Sequence, residues 1–332
     1  MAAPQLYLSP NRWVGLGLET SWGTVAAPTI YLQLDTNPST EPQITYLENK
    51  ALYGSSAQVF DTLTGPIHTK FSCKGNCFTD TFPYLMWLAL GADAVSGTAA
   101  PYTHTVTLAY DPTTGSQPVS TTVLDVDNIA LTGGDAKQVP GGVIDSLSIT
   151  ANVTGALTYS ADWVGSEVQQ GSPPAGYPTF SDAVFLPAYL ALITLNGTTY
   201  ELASELSIDI KRSAKPVATL NGSPAPVVVW SDGIDVTGKI TILAVPSDPN
   251  YYNALTRKHN TLSILLTDPV SGYSFTFDLD SVQFKTPKVD SSKSWEEITL
   301  DFQANANVTD ATTGYSPLKF IFTSAAAAAL SA

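Results

Sequence analysis

The stretch that decides the fold is "GVIDSLSITANVTGALTYSADWVG", residues 142–165. Apolar residues alternate with small polar residues along both halves of this stretch, and Gly155 lies between the halves. Alternation with a period of two is typical of a strand with one buried face and one solvated face. The central glycine favours a turn, so the stretch predicts an antiparallel hairpin.

Two other stretches predict short helices: "TFPYLMWLAL" at 81–90 and "DPNYYNALTR" at 248–257. Each follows an alternating strand, has a capping residue at its start and carries proline in its first turn. A helix this short is marginal alone, so we expect both to pack on a sheet. The expected packing residues are Phe82, Leu85 and Met86 in the first helix, and Tyr251, Tyr252 and Leu255 in the second.

The order of these elements occurs twice along the chain: strand, long loop, strand, capped helix, hairpin and closing strands. "DSLSI" at 145–149 has the same place in the first pass as "DSVQF" at 280–284 in the second. We therefore predict a mainly β protein built as a tandem duplication of one small domain. The predicted parts are a first domain at 1–165 with an extra segment at about 92–120, a linker at 166–178, a second domain at 179–323 and a flexible Ala-rich tail at 324–332.

The composition excludes several classes of function. Charged residues make up 13% of the 332-residue chain, hydrophobic residues 44%, and the net charge is −14. Wrapping nucleic acid needs clustered Lys and Arg, which this sequence lacks. The low charge density favours a surface that meets other protein, with a polar Ser/Thr surface as the alternative. The longest apolar stretch, 82–92, is too short to span a bilayer, and we expect no membrane partner.

Few residues are suited to catalysis or metal binding. No nucleophile elbow, phosphate loop or dinucleotide fingerprint is present, so we predict neither an enzyme nor a cofactor. Cys73 and Cys77 are the only cysteines, and two free thiols are favoured over a disulfide between them. His68 with these cysteines is a weak metal candidate.

Two acidic pairs, Asp125 with Asp127 and Asp278 with Asp280, each fall on one face of a predicted strand. Such pairs suit a calcium site or a catalytic carboxylate pair. Solvated strand edges and salt bridges are the commoner outcome.

Several pieces of the chain, taken in order, bring one known family to mind. They are "GLGLETSWGT" at 15–24, "FTDTFPYLMWLALGA" at 78–92, "PYTHT" at 101–105, the 142–165 hairpin, "VTGKITI" at 236–242 and "EITLDFQANANVTDATTG" at 297–314. Together they resemble the tail tube proteins, or major tail proteins, of phages with long flexible tails (siphovirus-like phages). The resemblance covers nearly the whole chain, except the extra segment and the tail.

The resemblance implies a β-sandwich or partial barrel flanked by a short helix. In that family, subunits join edge to edge in rings around a central β-barrel lumen, and the rings stack into a tube. Six single domains form the usual ring, so a duplicated chain implies a trimer with pseudo-sixfold symmetry.

The resemblance and the strand alternation together predict which side chains line the lumen. The polar faces of the hairpins at 143–163 and 275–304 would face the passing DNA, because their apolar faces must form the core. The predicted lumen residues are Ser146, Ser148, Thr150, Asn152, Ser160, Asp162, Gln283, Thr299, Asp301 and Gln303.

The partners implied by the resemblance are further copies of the chain, a tape measure protein, a tail terminator, baseplate or distal tail proteins, and double-stranded DNA that passes without specific binding. The location implied is the virion tail, after assembly in the host cytoplasm. Long loops are candidates for contacts between rings. They lie at 47–66, 92–120 and 211–233, with the N-terminal arm 1–12 and the C-terminal tail.

Two alternatives belong to other classes of protein. One is a monomeric two-domain β-sandwich that binds a target, as an adhesin or a capsid-decorating protein does. The other is a carbohydrate-active β-sandwich enzyme that uses Asp278 or Asp280.

Overall fold

A computed structural model describes most of the chain. The described residues are 12–51, 53–54, 56–109, 117–127, 136–172, 178, 180, 184–244, 256, 259–311 and 315–330. The second predicted helix, at 248–257, lies outside these residues except for Thr256, and Tyr251, Tyr252 and Leu255 are among those not described.

The described residues of the first half of the chain form ten strands and one helix. They are β1 (Trp13–Leu18), β2 (Ile30–Leu32), β3 (Ser39–Asn49), β4 (Asp61–Asn76), α1 (Phe82–Leu90), β5 (Gly91–Ser96), β6 (Tyr102–Leu108), β7 (Thr121–Val126), β8 (Ala136–Asn152), β9 (Thr158–Gly165) and β10 (Gln169–Gly171). The predicted hairpin is confirmed, because β8 and β9 pair antiparallel from Val143–Val164 to Thr150–Thr158.

In the second half, the part that the structure describes forms eleven strands and a short 3₁₀ turn at Ala188–Leu190. The strands are β11 (Leu192–Leu195), β12 (Thr198–Tyr200), β13 (Ala203–Lys211), β14 (Lys215–Val217), β15 (Val228–Trp230), β16 (Asp235–Leu243), β17 (His259–Thr267), β18 (Ser274–Phe284), β19 (Lys288–Asp290), β20 (Glu297–Ala304) and β21 (Lys319–Ser324). The prediction of a mainly β protein is thus confirmed.

Eight strands form the body of one large antiparallel sheet. Their order across the sheet is β3, β4, β9, β8, β13, β16, β20, β18. The sheet branches at both β8 and β18: β8 continues through β7 to β1 and β2, and β18 pairs with β17 and β21. In the described part of the chain this sheet is open and does not close into a barrel.

Helix α1 is packed on all sides rather than along one stripe. Eight of its residues are buried, including Leu85 and Met86 at 0% exposure, as predicted. Gly91, with φ 104°, ends the helix because only glycine readily adopts this left-handed conformation. The expected side-chain cap is absent at the observed N-cap, Thr81: its hydroxyl accepts no helix N–H and instead donates to Gln33 Oε1 at 2.9 Å.

Aromatic rings from both ends of the chain meet at Phe82. Its ring centroid lies 5.5 Å from that of Phe275, 6.2 Å from Phe277 and 5.7 Å from Phe320. One core cluster therefore contains residues of both predicted domains. Burial of large aromatic side chains supplies much of the free energy that holds these distant segments together.

Candidate functional site

The main sheet presents one continuous polar face. Every polar side chain that was predicted to line a lumen lies on this face, partly or fully exposed. The strands carry them in alternation with buried residues: Ser146, Ser148, Thr150 and Asn152 on β8, Ser160 and Asp162 on β9, Gln283 on β18, and Thr299, Asp301 and Gln303 on β20.

The strand registers align these side chains in rows that cross the sheet. One row runs through Lys74, Ser160, Ser148, Asp209, Thr237, Gln303 and Gln283. The next runs through Asn76, Thr158, Thr150, Ser207, Lys239 and Asp301. Residues far apart in sequence are therefore direct neighbours on this face.

Cross-strand hydrogen bonds fix the side chains within the rows. Ser146 Oγ donates to Asp162 at 2.8 Å, and Ser148 Oγ donates to Asp209 on β13 at 2.5 Å. On the same face, between β20 and β16, Gln303 Nε2 donates to Asp235. The bonded partners come from both halves of the chain, so the face is one unit.

Lysines occur within the same face, a feature that the sequence reasoning missed. Lys239 Nζ lies 3.4 Å from Glu205, and Lys288 Nζ lies 2.9 Å from Asp301. The alternation along β13 and β16 was visible in the sequence. That these strands lie between β8 and β20 follows only from the sheet order.

The acidic pair Asp125 and Asp127 is held by ion pairs. Arg12 approaches the buried Asp125 carboxylate at 2.5 Å and Asp127 at 3.1 Å, and Lys137 lies 3.2 Å from Asp127. The hydrogen bond with Asp125 is the largest cause of the raised pKa of Arg12. The structure thus favours the salt-bridge interpretation of this pair.

The other acidic pair surrounds a lysine. Lys319 Nζ lies 3.6 Å from Asp278, 3.7 Å from Asp280 and 3.9 Å from Asp310. Burial, followed by the neighbouring Asp280, raises the pKa of Asp310 to about 6. The structure thus favours the salt-bridge interpretation of this pair as well.

Cys73 and Cys77 are free and buried, as predicted. Burial raises the pKa of both thiols, which keeps them protonated and unreactive. Across the described ranges, no group of three or more His, Cys, Asp or Glu side chains could hold a metal ion.

A long hairpin, called here the first arm, extends from one edge of the sheet. It comprises β3, the beginning of β4 and the loop between them, residues 39–66. Its apolar side chains are exposed: 61% for Tyr46, 55% for Leu47 and 61% for Leu63. Exposed apolar groups concentrated on one element mark an interaction surface.

The segment predicted as a flexible tail contacts the β5–β6 hairpin over its described part. His104 Nε2 donates to the Ala326 carbonyl at 3.0 Å, and His104 Nδ1 lies 3.1 Å from Asp93. The same Asp93 carboxylate accepts the Leu330 N–H at 2.9 Å. Both His104 and Asp93 side chains are fully buried.

Comparison with known proteins gives one finding. A family model described as phage tail tube protein matches residues 11–304, which is most of the chain. A search of curated proteins finds no match. Among the described residues, no helix has the length and apolar character needed to cross a membrane.

Proposed function

The chain belongs to the phage tail tube protein family, and from this premise we propose that it polymerises as stacked rings into the tube through which phage DNA leaves the capsid. Each ring would be a trimer, and its six like units would give it pseudo-sixfold symmetry. The polar face of the main sheet would line the lumen.

The repeated strand order is the observation that carries this proposal. The order β3, β4, β9, β8 in the first half of the chain matches β13, β16, β20, β18 in the second. The two sets are joined side by side by the β8–β13 ladder, from Ser146–Lys211 to Asn152–Glu205. A chain with two like units in one sheet supports a ring of three.

Individual pairs of facing residues in the two sets also match. In the first set, Tyr159 lies opposite Gly75, and in the second, Phe302 lies opposite Gly238. The sequence around each aromatic residue agrees with this pairing, since "LTYSA" at 157–161 aligns with "LDFQA" at 300–304. An aromatic ring over a glycine at the same place in both sets supports a duplication.

The proposed lumen surface would let DNA slide because most of its side chains are neutral or acidic. Lys239 and Lys288 are each within ion-pair distance of a carboxylate, so neither is a free cation for phosphate. The remaining groups are mostly hydroxyls, amides and carboxylates. Lys74 and Lys211 also lie on this face and form no ion pair among the described residues, but the carboxylates of Asp162 and Asp209 on the same face disfavour tight phosphate binding.

The proposed partners follow from the tube. They are further copies of the chain, a tape measure protein inside the growing tube, and terminator and baseplate or distal tail proteins at its ends. The proposed location is the virion tail, with assembly in the host cytoplasm.

Negative-stain electron microscopy of the concentrated pure protein tests the proposal. We expect stacked rings with a stain-filled hole, and class averages with three chains in each ring. Rings of six full-length chains would contradict the trimer. If only monomers formed, even with baseplate components added, the tube would be refuted in favour of a monomeric binding module.

A further inference from the structure

The tetrapeptide "TLNG" occurs twice in the chain, at 194–197 and at 219–222. These two stretches contain the only asparagine–glycine pairs in the sequence. An asparagine before a glycine is the one that most easily loses its side-chain amide, because glycine has no side chain to hinder attack by its own backbone nitrogen. Since the two tetrapeptides are identical, a difference in their reactivity must come from the folded structure.

The first copy is locked into a tight hairpin turn. Asn196 and Gly197, with φ 50° and 76°, form the two-residue turn between β11 and β12. Strand β17 holds both ends of the Asn196 carboxamide: Nδ2 donates to Asn260 Oδ1 at 2.8 Å, and Oδ1 accepts the Thr261 N–H at 3.1 Å. Leu195, one residue earlier, is buried. The side chain therefore cannot turn toward the Gly197 nitrogen without breaking two hydrogen bonds.

The second copy lies in the loop between β14 and β15. Leu220 is fully exposed, and Asn221 and Gly222 are exposed as well. Among the described residues, the Asn221 side chain makes one hydrogen bond, in which its Oδ1 accepts the Ser223 N–H at 3.1 Å. This bond lies within the loop itself, so no neighbouring strand holds the carboxamide in place.

The single bond of the Asn221 side chain favours attack by the next backbone nitrogen. When the Gly222 nitrogen attacks Cγ of Asn221, negative charge develops on Oδ1, and the Ser223 N–H already donates to that atom. A donor placed where charge develops lowers the barrier of such a step. The same bond keeps the side chain folded along the backbone of Gly222. The loop is therefore arranged for a reaction that the turn at Asn196 opposes.

We propose that Asn221 is a site of spontaneous deamidation and that the fold protects Asn196. The Gly222 nitrogen gives its proton to solvent and forms a bond with Cγ of Asn221, while the Cγ–Nδ2 bond breaks and ammonia leaves with a proton from solvent. Water then opens the resulting succinimide ring. Opening at Cγ leaves an aspartate, and opening at the backbone carbonyl carbon leaves an isoaspartate. Water is the only co-reactant.

Either product changes the loop between β14 and β15 as the protein ages. Each adds a carboxylate to a chain whose net charge is already −14, and isoaspartate also inserts a methylene group into the backbone. Two residues after Gly222, the Pro224 carbonyl accepts the Ile67 N–H of β4 at 2.9 Å. The modification site thus lies beside a contact between the two halves of the chain.

Peptide mapping by mass spectrometry tests the proposal on the purified, unassembled wild-type chain during incubation at mildly alkaline pH. We expect Asn221 to deamidate at least about tenfold faster than Asn196, which corresponds to about 1.4 kcal/mol in the activation barrier. The chain denatured in guanidinium chloride is the matched control. There the two identical tetrapeptides should react at similar rates, because the turn at Asn196 has been lost.

The variant N221Q tests the assignment independently. Glutamine would have to close a larger ring, so the acidic species that isoelectric focusing detects in aged wild-type protein should not accumulate in N221Q. Asn221 is exposed, so the variant should fold, and circular dichroism checks this.

Three results would overturn the inference. They are equal rates at Asn196 and Asn221 in the folded chain, a folded chain unreactive at Asn221 while the denatured chain reacts, and an acidic species that accumulates equally in N221Q. A rate difference that persists in denaturant would also refute the protective role of the turn. None of these measurements requires rings or tubes, so the inference is tested separately from the proposed function.

Discussion

Replacing Gly238 with alanine tests the row on which the equivalence of the two units depends. A Cβ atom at this position would lie 2.3 Å from the Ser207 carbonyl oxygen and 2.3 Å from Cζ of Phe302. Both distances are far below van der Waals contact. The carbonyl belongs to the β13 ladder and cannot move without breaking sheet bonds.

Overpacking of this kind costs about 1 to 3 kcal/mol. Two short contacts, one of them with backbone, place G238A at the upper end, so we expect about 2 to 3 kcal/mol less free energy of unfolding. The equivalent change, G75A, meets the Gln33 carbonyl at 2.5 Å and the Tyr159 hydroxyl at 3.2 Å. Because only one of its contacts is severe, we expect about 1 to 2 kcal/mol.

The matched control is G233A, because nothing lies within 4 Å of a Cβ atom at Gly233. Urea unfolding followed by circular dichroism, at a concentration that keeps the protein monomeric, gives all three values. Substitutions without new contacts usually change stability by less than about 0.5 kcal/mol. If G238A and G233A were equally stable, Phe302 would not cover Gly238, and the alignment of the two units along this row would be wrong.

Three other predictions concern single polar groups. A pKa of Asp310 raised to about 6 means that the native state binds more protons than the unfolded state, so this group lowers stability as pH rises from about 4 to 6. The variant D310N should remove this loss of stability from urea unfolding measured at several pH values. An unchanged pH dependence of the unfolding free energy would contradict the prediction. The variant H104A removes the hydrogen bond to the Ala326 carbonyl, so amide hydrogen exchange at 325–330 should become faster. Equal protection of these amides in H104A and wild type would show that His104 does not hold this segment. The variant R12A leaves Asp125 buried without its cation and should lower the free energy of unfolding, measured in urea, by about 3 kcal/mol. R12K, which keeps a positive charge, should lose less. Equal stability of R12A and wild type would refute the buried pair.

Local patterns in the sequence predicted the strands and the first helix. The hairpin was predicted from the alternation in 142–165, and the first helix from Pro83 near its start and Gly91 at its end. Both patterns depend on residues close in sequence, where conformational propensity and burial favour the same structure. The faces of β8 and β20 followed from the same period of two. The polar residues of these two strands were therefore predictable one by one, whereas those of β13 and β16 on the same face were missed.

Partners that come from distant segments could not be predicted. Glu19 lies in the glycine-rich stretch at 15–24. Its carboxylate accepts from Ser120 at 2.7 Å, Thr122 at 2.8 Å and the Gly141 N–H at 2.8 Å. Likewise, Lys319 reaches Asp278 from a strand about forty residues later, and no periodicity indicates such a pairing. These contacts depend on sheet order, which long-range packing decides.

Joining two units in one chain also changes the energetics of the proposed ring. Each association between separate molecules loses translational and rotational freedom, which costs several kcal/mol. In a ring of three such chains, half of the junctions are already formed by β8 and β13 during folding. Only the other half must form by collision between molecules, at the concentration of the free protein. A chain with two units would therefore close a ring of the same size with half as many junctions between molecules as separate units would need.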